Sequence, residues 1–129
     1  MKRKLLSAGL LLAVLLTALV APTSADGRNL PPVAEPDFAL TSPYDPVSIA
    51  NVLANDWDPN GDEIVLVGIR ATEYGTALMK PESGLVYFAF AKDAPKDAVG
   101  IVVYEIRDSY GASAQGVLTI YQPTWCCSA

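Results

Sequence analysis

The sequence predicts an all-β protein built as a sandwich or barrel of short strands, and three observations lead to this prediction. After residue 32, apolar residues recur at every second position, which is the period of a strand rather than of a helix. Gly, Pro, Asn or Asp interrupts this pattern roughly every eight to twelve residues, as in sandwiches and barrels. No predicted strand is followed by a helical pattern, which excludes parallel βαβ units.

The first 25 residues have the pattern of a secretory signal. Three basic residues are followed by a mostly apolar run over residues 5–20, and the small residues Thr23 and Ala25 stand where a signal peptidase reads the chain. We therefore predict cleavage after Ala25, a secreted, extracellular or cell-surface location, and no membrane span in the mature chain. The alternative is a retained membrane anchor, for which the apolar run is slightly short of the roughly 20 residues required.

The predicted mature chain has three parts: an extended leader over residues 26–32, one domain over residues 33–121, and a tail over residues 122–129. The signal contains three of the nine basic residues and none of the fourteen acidic ones, so the mature chain has a net charge of −8. This charge argues against nucleic acid and anionic lipid as partners, and it is compatible with divalent cations.

The seven predicted strands cover residues 33–40, 47–52, 63–69, 76–80, 85–90, 101–107 and 114–121. The first strand contains Pro36, which places it at a sheet edge or at a bulge. In the third strand, Gly68 predicts a bulge that turns Ile69 back toward the core. In the sixth strand, we expect Val102, Tyr104 and Ile106 to point inward.

Turn residues separate these strands. Pro81-Glu-Ser-Gly84 predicts a tight hairpin between the fourth and fifth strands, with Gly84 at positive φ. Asp108-Ser-Tyr-Gly111 predicts a similar turn between the sixth and seventh strands. The longer charged segment 93–98 is expected to cross from one sheet to the other.

The two cysteines, Cys126 and Cys127, are adjacent and lie close to the chain end. Neighbouring cysteines can pair only in a strained ring, so an intradomain disulfide is not expected. Two interpretations stay open: a loose tail without a function, or a disulfide-linked oligomer formed through Cys126 or Cys127.

Six motifs follow one another along the predicted domain: Asn29-Leu-Pro-Pro-Val-Ala34, Val52-Leu-Ala-Asn-Asp56, Asp58-Pro-Asn-Gly-Asp62, Tyr74-Gly-Thr76, Val103-Tyr-Glu-Ile-Arg-Asp108 and Val117-Leu-Thr-Ile120. Their order resembles the bacterial immunoglobulin-like, cadherin-like repeat of secreted and surface proteins. The resemblance covers residues 29–121 and implies a seven-stranded antiparallel Greek-key sandwich with an adhesion, spacing or accessory binding role. The chain departs from the repeat by holding a single copy and by having Asn60 where an aspartate is frequent.

The loop around the Pro-Asn-Gly turn is the strongest candidate site, and it has two interpretations. Carboxylate and amide oxygens are the ligands that Ca²⁺ prefers, so the first interpretation is a site for one calcium ion with Asp56, Asp58, Asn60, Asp62 and Asp108 as its ligands. Alternatively, Asp58-Pro-Asn-Gly61 is simply a sound β-turn, with an Asx acceptor first, proline second and glycine last.

The remaining patterns argue against catalysis. The chain contains no histidine, and neighbouring carboxylates such as Asp62 and Glu63 point to opposite faces of a strand, so we predict that the protein is not an enzyme. A carbohydrate-binding accessory domain is the alternative to the adhesion or structural module. Its ring candidates are Trp57, Tyr44, Tyr74, Tyr87 and Tyr110. The expected partner is therefore an extracellular protein or carbohydrate surface.

Overall fold

Two β-sheets pack face to face in the computed structural model, which describes residues 27–41, 45–71 and 73–122. The strands in this part of the chain are β1 (Asp37–Leu40), β2 (Val47–Asn51), β3 (Ile64–Ala71), β4 (Gly75–Lys80), β5 (Leu85–Phe90), β6 (Val99–Asp108) and β7 (Ser113–Tyr121). The predicted signal at residues 1–25 and the two cysteines lie outside the described residues. Within the described ranges, no helix has the length and apolar character needed to cross a membrane.

One sheet has the strand order β1-β7-β6-β3 and the other has the order β2-β5-β4. The chain stays within a sheet at the β4–β5 and β6–β7 hairpins, and it changes sheets between β5 and β6, as predicted for segment 93–98. The all-β sandwich prediction is therefore confirmed. One pair differs from the antiparallel expectation, since β1 runs parallel to β7. Both strands start at the same end of the sandwich and run in the same direction.

The core lies between the two sheets and is built from every second residue of the strands. On β6, Val102, Tyr104 and Ile106 are buried, as predicted. Leu118 and Ile120 on β7 meet Val86 and Phe88 from the opposite sheet in one cluster. Because inward apolar residues alternate with outward residues, each strand buries one of its two faces, and the two sheets pack through these buried faces.

The predicted bulge is present in β3. Leu66 pairs with Ile106, but the next pair along the ladder joins Gly68 to Glu105, so Val67 is an extra residue. The insertion moves Ile69 back toward the core cluster. The Pro81 turn is also confirmed, with Gly84 at φ 65°.

The first strand is shorter than predicted, because β1 begins only at Asp37. Pro36 has no N–H to donate to a ladder. Before it, Val33 forms an isolated antiparallel bridge with Trp57, with N–H to carbonyl distances of 2.8 and 3.2 Å. The segment preceding β1 therefore packs against the β2–β3 loop instead of extending the sheet.

The domain has two distinct ends. One end, called the acidic end below, contains the segment 28–36, the β2–β3 loop and the β6–β7 turn, which hydrogen bonds bring together. From this end β7 runs over nine residues to Tyr121, which corresponds to roughly 30 Å of strand. The described chain thus starts at the acidic end and finishes at the opposite one.

Candidate metal centre at the acidic end

The β2–β3 loop fixes Asp58 through its own backbone. The Gly61 N–H donates to the Asp58 carbonyl at 3.0 Å, and Gly61 has φ 78°, a conformation that glycine adopts without strain. The N–H groups of Asn60 and Asp62 donate to Asp58 Oδ1 at 2.7 and 3.2 Å. The predicted β-turn is present, and it uses only one of the two Asp58 carboxylate oxygens.

The β6–β7 turn fixes Asp108 in the same manner. The N–H groups of Tyr110 and Ala112 each donate to Asp108 Oδ1 at 2.9 Å. Asp108 Oδ2 accepts a hydrogen bond of 2.8 Å from Asn29 Nδ2, in the segment that precedes β1. Only 4% of Asp108 is exposed, so this carboxylate is held rigidly inside the acidic end.

Three carboxylates converge where these two turns meet. Asp58, Asp62 and Asp108 each offer one oxygen, and the three oxygens lie within 4.8 Å of one another. Around them, Asp58 Oδ2, Asp62 Oδ2 and Asn29 Oδ1 are buried without a hydrogen-bond partner. Buried polar atoms are normally satisfied, so three unsatisfied oxygens in one place indicate that a positively charged or donating group is needed there.

The pKa values of the cluster reflect this crowding. Burial, followed by repulsion from the Asp58 and Asp108 carboxylates, raises the pKa of Asp62 above its ordinary value of 3.8. Burial also acts to raise the pKa of Asp108, but hydrogen bonds from Asn29 and from three amides of its turn outweigh burial and lower it. The hydrogen bonds thus favour the charged form of Asp108, whereas burial and repulsion disfavour the charged form of Asp62.

The donor set fits a hard divalent cation. Ca²⁺ binds 6–8 oxygen atoms from carboxylates, amides and carbonyls, and the converging groups offer only oxygen. Asn29 is a candidate ligand that the sequence analysis did not identify as one. It lies 79 residues from Asp108, and its only sequence signal is its place at the start of the motif 29–34.

The other two predicted ligands have different surroundings. Asn60 Oδ1 accepts from the Leu30 N–H at 2.7 Å, and Asn60 Nδ2 donates to the Arg28 carbonyl at 3.2 Å. Asp56 Oδ1 accepts from the Glu35 N–H at 2.8 Å. Both residues therefore hold the segment before β1. Asp56 is not among the three carboxylates that converge, although its Oδ2 is also buried without a partner, and Asn60 stays a predicted ligand.

Asp56 belongs to a second polar cluster around the buried Tyr104. The Tyr104 hydroxyl lies 2.9 Å from the Glu35 carbonyl, 2.8 Å from Asp37 Oδ2 and 3.2 Å from Asp56 Oδ1. Burial is the main cause that raises the pKa of Asp37 and of Asp56, and Asp37 also raises the pKa of Asp56 by repulsion. The phenol has a single proton, so the three acceptors compete for one hydrogen bond.

This second cluster leads to a prediction about pH. Because the pKa of Asp37 is raised in the folded state, its contribution to stability is present below its ordinary pKa of 3.8 and is lost as pH rises through the folded value. Asp37→Asn removes this titration while keeping an acceptor for Tyr104. We expect the free energy of unfolding of this variant at pH 7 to be higher by up to about 1 kcal/mol. Above pH 3.8, it should fall less steeply with pH than that of the unmodified protein.

Urea unfolding at a series of pH values measures this effect. Asp97→Asn, at an exposed position in the β5–β6 loop, is the control for the loss of one negative charge, and it should change the free energy of unfolding at pH 7 by less than about 0.5 kcal/mol. A steeper decline for Asp37→Asn than for the unmodified protein would contradict the prediction.

The candidate aromatic rings are spread over the domain. Trp57 and Tyr110 are exposed at the acidic end, whereas Tyr74 is exposed at the opposite end. Tyr87 points outward from the middle of β5, and Tyr44 lies outside the described residues. The described rings therefore do not gather into one binding platform.

Comparison with known proteins agrees with this architecture. Residues 29–121 match the family described as the bacterial Ig domain. No curated protein matches the chain. Domains of this family are generally non-catalytic and typically extracellular or surface-associated. Because the match covers most of the sequence and the two sheets form the expected sandwich, the chain belongs to the bacterial Ig domain family.

Proposed function

We propose that the protein is a secreted, non-catalytic adhesion or structural module that holds one Ca²⁺ at its acidic end. The ligands in this proposal are the carboxylates of Asp58, Asp62 and Asp108 and the amide oxygen of Asn29. The single observation that supports it best is the set of three buried oxygens without partners beside a carboxylate fixed by its turn. When bound, the cation supplies the positive charge that this cluster lacks.

The position of the cluster suggests what the ion does for the domain. Its four candidate ligands come from the segment before β1, the β2–β3 loop and the β6–β7 turn. A cation shared by these three segments joins them without any further hydrophobic contact. The acidic end then keeps a fixed shape, which is what a structural or adhesion module requires.

Calcium binding is tested by a thermal melt of the chain from Asp26 onward, with Ca²⁺ and with a chelator. A ligand at a hundred times its dissociation constant adds roughly 2.7 kcal/mol to the free energy of unfolding. For a domain of this size we expect the Tm to rise by about 10–20 °C. An unchanged Tm at millimolar Ca²⁺ would contradict the proposal.

Two variants make the test specific. Asp58→Asn keeps the acceptor for the amides of Asn60 and Asp62 but removes a charge from the cluster, so the fold should remain and the Ca²⁺-dependent rise should be lost. Asp93→Asn changes an exposed aspartate in the β5–β6 loop and should retain the full rise.

A carbohydrate-binding accessory domain is the second candidate. In its favour, Trp57 and Tyr110 are exposed at the acidic end, each within two residues of a proposed metal ligand. Against it, the unpartnered oxygens of the cluster are enclosed, so a sugar hydroxyl has little access to a bound ion. We therefore rank this function below the structural or adhesion role.

A further inference from the structure

The Pro-Asn-Gly turn contains two neighbouring groups that can react with each other. Asn60 is followed directly by Gly61, whereas the other asparagines, Asn29, Asn51 and Asn55, precede residues with side chains. Because glycine has no Cβ atom, its backbone nitrogen is open to the side-chain carbonyl carbon of the residue before it. Asparagine is among the thermolabile residues of proteins, and Asn60 is the one in this chain whose neighbour leaves the reaction unhindered.

The reaction is a deamidation, and it consumes only water. The Gly61 nitrogen gives up its proton and forms a bond to Cγ of Asn60, while the Cγ–Nδ2 bond breaks and Nδ2 leaves as ammonia with that proton. One water molecule then opens the cyclic succinimide, either to aspartate or to isoaspartate, in which the main chain runs through the side-chain carbon. In both products a carboxylate replaces a neutral amide.

The folded chain restrains both reacting groups. The Gly61 N–H donates to the Asp58 carbonyl at 3.0 Å, which holds the attacking nitrogen within the turn. Asn60 Oδ1 accepts from the Leu30 N–H at 2.7 Å, and Asn60 Nδ2 donates to the Arg28 carbonyl at 3.2 Å. The side chain that must swing toward Gly61 is therefore fixed at both of its polar atoms, and both partners belong to segment 28–30.

We propose that Asn60 is a self-modification site that segment 28–30 protects, and that its deamidation releases this segment. Arg28 and Leu30 are exposed, and they precede Val33, which bridges to the β2–β3 loop. Exposed segments outside a sheet open locally more readily than core strands do. Each time segment 28–30 leaves the loop, the Asn60 amide loses these two hydrogen bonds and can turn toward the Gly61 nitrogen.

The product cannot bind segment 28–30 as the amide does. A carboxylate has an oxygen in place of Nδ2, and this oxygen cannot donate to the Arg28 carbonyl. Two oxygen acceptors would instead face each other across the 3.2 Å that separates donor from acceptor in the amide. The new negative charge also lies two residues from both Asp58 and Asp62. Since ammonia has left, the change is irreversible, and segment 28–30 binds the loop less tightly from then on.

The protection is tested by peptide mapping with mass spectrometry, which follows the deamidation of Asn60 in the chain from Asp26 onward. A chelator is present throughout, so the result does not depend on the proposed Ca²⁺. We expect the folded chain to react at least about tenfold more slowly than the same chain unfolded in urea, because deamidation of the folded chain requires local opening.

Two substitutions at Leu30 separate the role of the segment from that of the turn. Leu30→Pro removes the N–H that donates to Asn60 Oδ1, and a residue that precedes Pro31 already favours the extended backbone that proline tolerates. Leu30→Ala removes the side chain and keeps the N–H. We expect Asn60 to deamidate roughly three- to tenfold faster in folded Leu30→Pro than in folded Leu30→Ala. Circular dichroism checks that both variants fold. Equal rates in the two variants, or equal rates in the folded and unfolded chain, would overturn the proposal.

Release of the segment is tested with trypsin, which cuts the chain after Arg28. Cleavage of a folded protein follows the population of its open form. Asn60→Asp has the carboxylate of the aspartate product, and we expect it to be cut after Arg28 at least about threefold faster than the unmodified chain. Asn51→Asp adds the same charge at the end of β2 and keeps the acceptor for the Leu53 N–H, so its cleavage after Arg28 should not change. Unchanged or slower cleavage of Asn60→Asp, or equal acceleration in both variants, would show that the amide does not hold the segment and would contradict its release by deamidation.

Discussion

Gly116→Ala is expected to destabilise the domain by about 3–5 kcal/mol, although it adds a single methyl group. Gly116 on β7 lies directly opposite Tyr104 on β6. A Cβ atom at this position would overlap the Tyr104 ring and its hydroxyl oxygen, and would approach Cε1 to 2.6 Å. Overpacking a core costs about 1–3 kcal/mol and sometimes more.

The ring of Tyr104 cannot move aside without a second loss. Its hydroxyl lies between the Glu35 carbonyl and the carboxylates of Asp37 and Asp56. Leaving these half-buried acceptors unsatisfied costs up to about 1–3 kcal/mol more. Urea unfolding measures the combined effect, and the slope with denaturant shows whether the transition remains two-state.

Gly68→Ala is the matched control for this prediction. Gly68 also lies on a strand of the four-stranded sheet, but a Cβ atom there meets nothing within 4 Å. We expect its free energy of unfolding to change by less than about 0.5 kcal/mol. Similar losses in the two variants would mean that glycine flexibility, and not the space beside Tyr104, determines the effect.

The sheet positions were predictable because burial repeats with a simple period. On β6, inward residues alternate with outward ones along the whole strand, so the sequence alone identifies Val102, Tyr104 and Ile106 as core. The bulge was predictable for a related reason: Gly68 interrupts the alternation, and an extra residue restores it at Ile69. Such patterns depend on backbone geometry that is the same in every strand.

The candidate site was predictable only in part, because its geometry depends on contacts between distant segments. Asp58 and Asp62 were predicted from a local turn, and Asp108 from its place in a neighbouring one. Asn29 reaches Asp108 from a segment with no periodic pattern. Asp56 lies only two residues from Asp58, yet it faces Tyr104 instead, and no local rule assigns a loop side chain to one cluster or the other.

The parallel pairing of β1 with β7 was unpredictable for a similar reason. With four residues, β1 is too short for its periodicity to define a partner or a direction. Its pairing follows from the segment before it, where hydrogen bonds to Asn60 and Asp56 fix the chain at the acidic end. The β2–β3 loop thus fixes the end of the sheet at which β1 begins. This loop therefore contributes to the fold as well as to the candidate site.

Phe88→Ala is expected to lower the free energy of unfolding by about 3–5 kcal/mol and the Tm by at least about 12 °C. Phe88 is fully buried on β5 and packs edge to face against Phe90, with ring centroids 5.0 Å apart at 83°. Gly75 on β4 and Gly100 on β6 leave the space that its ring fills, because a Cβ atom at either position would overlap the ring.

The cavity left by Phe88→Ala cannot close easily, since Gly75 and Gly100 have no side chains to move into it. Rigid backbone on both sides therefore keeps most of the volume empty, which places the expected loss at the upper part of the range. Phe38→Ala removes the same side chain from a site that is 69% exposed and should change stability by less than about 0.5 kcal/mol. Phe88→Ala and Phe38→Ala would contradict this prediction if they unfolded at the same urea concentration. In that case the two sheets would not share a single core around Phe88.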